Sequence, residues 1–332
     1  MTATFGRTEL PAEQTEALRK AVRLAWVTIG FLVVAVTLVY LVMGSSQAMK
    51  AAWVEDLLSF IPPISFLVAV HFSRRRPSEK HPYGLHRSIG VGHLVAGTAL
   101  FAMGVFMVFD SGTGLLATEH PPVGLMEIAG HPVWSGWPMI AAMVLTGVPP
   151  VFLGRAKMPL ATALHDRVLY ADADMNKADW MTAAGSIVGI GIGVGLWWAD
   201  AAAALFISGS ILADGVRNLR VATSALMDAQ ATSVDGTDPH PLVHEVDALL
   251  RDLPWVAEAG SRVRDLGHVF HVEAFVVPVD GAPSLATLRD AREAAVALDW
   301  KVQDMTLVPV EELPEEFLPG LSTRQRPRKH PQ

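Results

Sequence analysis

Ionisable side chains stand inside segments that are otherwise apolar. Glu55 and Asp56 lie in the first third of an apolar run over residues 51–72. Asp172, Asp174, Lys177 and Asp179 crowd the entry of another run within residues 164–198. An ionisable group at membrane depth costs roughly 2.5–3.5 kcal/mol on insertion scales, so by default it faces the interior and has a function. At about 100° per residue, Asp172, Met175, Asn176 and Asp179 share one helix face. Asp174 and Lys177 fall on the other side with the i,i+3 spacing of an ion pair. On the earlier helix Glu55 and Ser59 share a face, and Asp56 is turned about 100° away. Two helices therefore offer Glu55, Ser59, Asp172 or Asn176, and Asp179 to one point between them. Carboxylates that converge repel one another unless a cation or a proton joins them. The chemistry this pattern suits is a divalent-metal site that exchanges metal for protons. The plainer alternative is a buried polar network neutralised by Lys177. His93, alone in its apolar run, reads as an interior histidine with a hydrogen-bond partner.

The elements that must position these groups are long and apolar. Of 332 residues, 51% are hydrophobic and 18% are charged, against roughly 25% charged in a soluble domain. That much apolar surface excludes disorder as the dominant state. The absence of cysteine excludes a disulfide scaffold, a thiolate metal site and a thiol nucleophile. A spanning helix needs about 20 mostly apolar residues. Six candidates fit, at residues 21–43, 51–72, 88–109 and 137–153, within 164–198, and within 200–219. The first is too long, and preceded by too many polar residues, for a cleavable signal. Lys and Arg alternate between the connections: Arg74, Arg75, Arg76, Lys80 and Arg87 after the second span, Arg155, Lys157 and Arg167 after the fourth, Arg217 and Arg220 after the sixth. Residues 111–136 carry none. The bias places both termini on the cytoplasmic side of an integral membrane protein, with the plasma membrane as the expected location. Pro62-Pro63 and Pro149-Pro150 are expected to kink their helices, and the glycines of residues 185–195 to form a packing face.

The chain changes character near residue 225. Residues 1–225 hold 15 acids and 16 bases, residues 226–332 hold 18 acids and 10 bases. The net charge of −7 argues against nucleic acid as a partner. Residues 241–252 have helical spacing, residues 255–265 and 269–277 read as strands, residues 284–298 as a helix capped by Ser284, and residues 302–310 as a third strand. That order fits a ferredoxin-like module. The organisation read is an N-terminal segment (1–20), a membrane all-α six-helix bundle (21–225), a small ferredoxin-like α/β cytoplasmic domain (226–312) and a disordered tail (313–332). His268, His271 and Glu273 suggest a regulatory metal site or, more plainly, a strand surface. Arg324, Arg326, Arg328 and Lys329 form a basic run in the tail.

Five stretches in one collinear order carry a resemblance. His81-Pro82-Tyr83-Gly84-Leu85-His86-Arg87 resembles the HPYGxGR opening of the third span in the cation diffusion facilitator family. Residues 170–179 resemble its ADAxHxxxD signature, residues 198–203 its W-x-D-P-x-x-A, Leu226-Met227-Asp228 its LLD, and residues 262–267 its RxRxxG. The resemblance implies a homodimeric antiporter in the lipid bilayer that moves a divalent metal out of the cytoplasm against protons. It implies no enzyme activity and no tightly bound cofactor. No nucleophile–base pair or phosphate loop stands in the chain either. Carried over by position, the family's four ligands fall on Glu55, Ser59, Met175 and Asp179. Only Asp179 keeps the family's residue type. Loss of the histidine moves the site away from zinc. An oxygen-rich set with Asn176 and Asp172 suits manganese or magnesium, whereas the Met175 thioether suits a softer ion. Manganese, iron, zinc and cadmium are left undistinguished as substrates. Ser59 and Met175 also fit a second reading, a non-transporting relative that serves as a partner subunit or scaffold.

Overall fold

The computed structural model describes residues 10–44, 46–75, 77–116, 125–128, 131–193, 198–236, 238–267 and 269–317. Long helices come first: α1 (Ala12–Val42), α2 (Gln47–Leu58), α3 (Ile61–Ser73), α4 (Ser88–Leu116), α5 (Gly136–Leu164), α6 (Arg167–Gly193) and α7 (Ala199–Leu226). A short hairpin, β1 (Leu125–Ile128) and β2 (His131–Trp134), precedes α5. Among the described residues, four segments are long and apolar enough to cross a membrane: α1, α2 with α3, α4, and α5. α6 and α7 match them in length, at 27 and 28 residues, and carry more of the polar side chains.

α1 shows how the bundle is patterned. Ala21, Ala25, Thr28, Leu32, Ala35 and Val39 are buried at helical spacing. Val27, Val34, Tyr40 and Leu41 on the opposite side are exposed. A helix apolar all round, small on the inside and bulky on the outside, is what a bundle in lipid requires, because lipid supplies no hydrophobic drive between helices and close packing must do the work.

Two spans differ from the sequence expectation. The second is not one helix but two. α2 starts at Ser46, whose hydroxyl accepts from the Met49 N–H, and ends at Ser59. α3 restarts with Pro62 and Pro63 in its first turn, where their missing N–H groups cost nothing. The fourth span does not stop at residue 153. Pro149, Pro150 and Pro159 all lie inside α5, which runs on to Leu164. Arg155 and Lys157 are therefore helical residues, and the connection to α6 is a tight turn. His165 takes a left-handed conformation there (φ 47°), and Asp166 Oδ1 accepts from the Val168 and Leu169 N–H groups.

α4 and α7 pack backbone against backbone. A Cβ built on Gly215 would lie 2.5 Å from the Phe101 nitrogen, and one on Gly104 would lie 2.6 Å from the Leu212 Cα. Backbone cannot yield as a side-chain tip can. Gly215→Val is expected to force the two helices apart and to cost about 1–3 kcal/mol, the usual range for overpacking. A thermal melt of the detergent-purified chain reads this loss; a melt unchanged from wild type would show that the helices do not meet there.

The C-terminal part is a small mixed α/β unit: α8 (Leu242–Arg251), β3 (Val256–Asp265), β4 (Phe270–Pro278), α9 (Leu285–Val296) and β5 (Val302–Pro309). The sheet order is β3-β4-β5, antiparallel between β3 and β4 and parallel between β4 and β5. Leu242, Val246 and Leu250 of α8 pack with Phe270, Val272, Ala274 and Met305 into its core. Ser284 caps α9, accepting from the Thr287 N–H at 3.1 Å. The described residues reach into the segment expected as a disordered tail. Glu315–Phe317 form a 3₁₀ turn, and the Phe317 ring lies where a Cβ on Gly260 would stand, at 2.7 Å. The absence of a side chain at Gly260 is what admits the ring. The basic run at residues 324–329 lies outside the described residues.

Candidate functional site

α2 packs against α6 and α7 and also touches α1 and α4. A helix enclosed on several sides buries more than one face, and this decides the fate of its acids. Glu55 and Ser59 are both buried. The Ser59 hydroxyl donates to the Glu55 carbonyl oxygen at 3.0 Å, a bond back to its own helix. Asp56 is turned inward as well: its Oδ2 is buried and has no hydrogen-bond partner. Its charge bears on Asp179 of α6, as does that of Asp172. Helix spacing alone had set Asp56 aside; packing on two sides brings it in.

Asp172 has a partner that the sequence reading did not assign. Lys157 Nζ lies 2.5 Å from Asp172 Oδ2, and the lysine side chain has no exposed surface. Asn176 Nδ2 donates to the Asp172 carbonyl oxygen at 2.5 Å and to its Oδ1 at 3.1 Å. A neutralising cation for Asp172 is thus supplied by α5. The side chains of Asp174 and Lys177, expected as an ion pair, lie outside the described residues. The signal that could have found Lys157 is symmetry, because the midpoint between residues 157 and 172 falls at the α5–α6 turn. Met175 packs beside Val54 on an apolar cluster that includes Ala51, Leu100, Met107 and Ile207. Asp179 is half-buried.

The acids therefore approach one another without closing. Among the described residues, no three His, Asp or Glu side chains gather as a metal-binding group. The charges of Asp56 and Asp172 both bear on Asp179, while Lys157 and Asn176 hold Asp172. His93 is buried with Nε2 2.9 Å from Asn218 Oδ1, the partnered interior histidine expected.

A second polar cluster joins the helices to the C-terminal unit, and three of the singled-out motifs meet there. Arg87 donates to the Leu226 carbonyl oxygen at 3.1 Å and pairs with Asp228. Arg264 lies 3.6 Å from Asp228. Gly267 (φ 106°) sits so close under His86 that a Cβ would lie 2.6 Å from the His86 carbonyl oxygen. Beside them Asp265 faces His165 (3.5 Å), Arg167 (3.7 Å) and Lys301 (3.8 Å). Burial pushes the Asp265 carboxyl up, but Lys301, His165 and Arg167 together outweigh it and hold it well below the usual carboxylate range. Burial, with Lys301 nearby, lowers His165 to about 4.

Lys301 donates to the Gly267 carbonyl oxygen at 2.8 Å and stands 4.2 Å over the Phe270 ring. Burial lowers it to about 8, with Asp265 opposing the shift. Between about 8 and the ordinary 10.5 the unfolded chain holds a proton on this lysine that the folded chain has released. Stability must then rise with pH across that window. Chemical unfolding in detergent from pH 8 to 10.5 is expected to show the rise, and Lys301→Met to flatten it. An equal slope in both chains would remove Lys301 as its source.

His271 lies on the sheet, 2.8 Å from Asp304 and 3.3 Å from Glu273, with Arg262 2.8 Å from Glu273. The Asp304 hydrogen bond raises the imidazole against burial. Both acids near His271 are thus engaged in an ion-pair network; His268 lies outside the described residues.

Residues 24–227 match the family model of the cation efflux transmembrane domain. The chain is 22% identical over 272 residues to the manganese efflux system protein MneS of Bacillus subtilis (strain 168), covering 80% of this chain and 86% of that protein. It is 25% identical over 320 residues to the uncharacterized transporter YdbO of the same organism, covering 92% and 99%. It is 24% identical over 262 residues to mitochondrial metal transporter 2 of Saccharomyces cerevisiae, covering 73% of this chain and 51% of that protein. Membrane-length apolar helices, acids buried among them and a match over most of the helical region converge: the chain is an integral membrane protein of the cation diffusion facilitator family, a metal cation transporter and not an enzyme.

Proposed function

We propose that the chain moves a divalent metal cation across a membrane in exchange for protons, using carboxylates of α2 and α6. The observation that carries this reading is the pair of acids Glu55 and Asp56 on a helix packed against α6, with Glu55 buried and Asp56 Oδ2 buried and unpartnered. Two carboxylates in that position hold either a cation or protons. Glu55 stands one residue from Asp56, and the Ser59 and Asn176 oxygens lie on the same two helices. Asp172, already neutralised by Lys157, sets the charge of the site rather than completing it. A set of oxygen donors suits a hard ion such as manganese, in keeping with a relative named for manganese efflux. Met175 packs away among apolar side chains, which weighs against a soft-ion site.

In this reading α6 and α7 are the fifth and sixth spans, and the C-terminal unit is a ferredoxin-like cytoplasmic module. The working form is a homodimer in the plasma membrane with both termini cytoplasmic. Alternating access exposes Asp56 and Asp179 to each side in turn, and protonation of the acids releases the metal. The test is uptake by vesicles holding the purified full chain under a pH gradient, offered manganese, iron, zinc and cadmium in turn. Manganese uptake that collapses with the gradient is expected. No uptake of any of the four would leave the second reading, a non-transporting partner subunit, which the tethered Lys157 cation and the Ser59 and Met175 substitutions favour.

A further inference from the structure

A groove of about 980 Å³ runs between α3 and α4 down to the C-terminal unit. It lies at the upper end of the roughly 300–1,000 Å³ usual for bound small molecules. Its two halves differ in chemistry. Ile64, Val68 and Phe72 form a ridge on α3 at i, i+4 and i+8, and Val91 and Val95 face it from α4. All five are exposed, and they stand on helices long and apolar enough to cross a membrane. The other end carries Lys80, Arg87 and Arg264, with Tyr83 beside them.

The cationic end has capacity to spare. Lys80 is exposed and has no ion-pair partner among the described residues. Arg264 is held only loosely, 3.6 Å from Asp228 and 3.7 Å from Glu273. Its Nε donor is buried with no hydrogen-bond partner. A buried donor without an acceptor is costly unless an acceptor arrives. Tyrosine at such a mouth is usual at the headgroup level of a bilayer.

We infer that this groove binds one anionic glycerophospholipid of the leaflet nearest the C-terminal unit. Its phosphate sits among Lys80, Arg87 and Arg264, and an acyl chain lies between α3 and α4. Length fits the occupant. From Ile64 to Phe72 the helix rises about 12 Å, close to the roughly 15 Å of one leaflet's hydrocarbon. Basic pockets between spans at a membrane surface suit anionic headgroups. Bound there, the lipid ties the α3–α4 connection to β3, so the anionic content of the membrane bears on how the two parts of the molecule hold together. This goes beyond metal movement and does not depend on it.

The experiment is native mass spectrometry of the full chain, purified in detergent and offered equal phosphatidylglycerol and phosphatidylcholine with the same acyl chains. Wild type is expected to retain phosphatidylglycerol at least about fivefold over phosphatidylcholine, the factor for the about 1 kcal/mol that a single basic residue contributes at the surface. Lys80→Glu should bring that ratio close to one. Val68→Trp, a change at an exposed position, should lower retention of both lipids by filling the apolar half. Equal retention of the two lipids by wild type would overturn the proposal, and so would variants that leave retention unchanged. If Val68→Trp shifts the monomer–dimer balance and leaves lipid retention intact, a second copy of the chain covers the groove and the lipid assignment fails.

Discussion

Lys157→Met is expected to destabilise the chain by about 3–5 kcal/mol, the range for removing one partner of a buried ion pair. The loss should appear as a lowered melting temperature in detergent. Among the described residues nothing else near Asp172 replaces the ammonium: Asn176 donates only two neutral N–H bonds, and the lysine has no exposed surface through which water could enter. The physical cause is the carboxylate left behind, not the attraction lost. Removing both charges should therefore recover most of the stability, since a well-packed apolar pair is often as good as a buried ionic one. Lys157→Met combined with Asp172→Leu is the check. If the double variant melts as low as the single one, the lysine stabilises α5 and α6 through its packing and not through its charge.

Asp179→Asn is expected to reduce metal uptake to the background of empty vesicles, while the chain melts at or above the wild-type temperature. The two halves of that expectation have one origin. Asp56 repels the Asp179 charge, while Lys157 offsets the repulsion from Asp172, so an amide there relieves the folded protein of strain it maintains without metal. Residues kept despite such repulsion mark sites of function. Asp56→Asn should behave in the same way, because it removes the charge that repels Asp179. Uptake that survives both changes would place the transport site elsewhere. A chain that loses uptake and stability together would mean that these acids hold the fold.

Much of this was written in the order of residues. Long apolar runs dictate helices of membrane length, since backbone polar groups in lipid must bond within their own segment. Ser284 ahead of a periodic stretch dictates where α9 begins. Strand alternation laid out β3, β4 and β5. The acids in α2 and α6 were visible as anomalies because lipid penalises them wherever they point. Local rules failed where a partner from another element decided the outcome. Lys157 looked like a loop cation because Arg155 stands beside it and prolines precede it, yet Asp172 across the tight turn draws it inside. Asp56 looked misdirected because angular spacing assumes a helix with one inner face, whereas α2 has helices on several sides. Which charges neutralise one another depends on separations between chain segments, and sequence spacing measures distance only along a single helix.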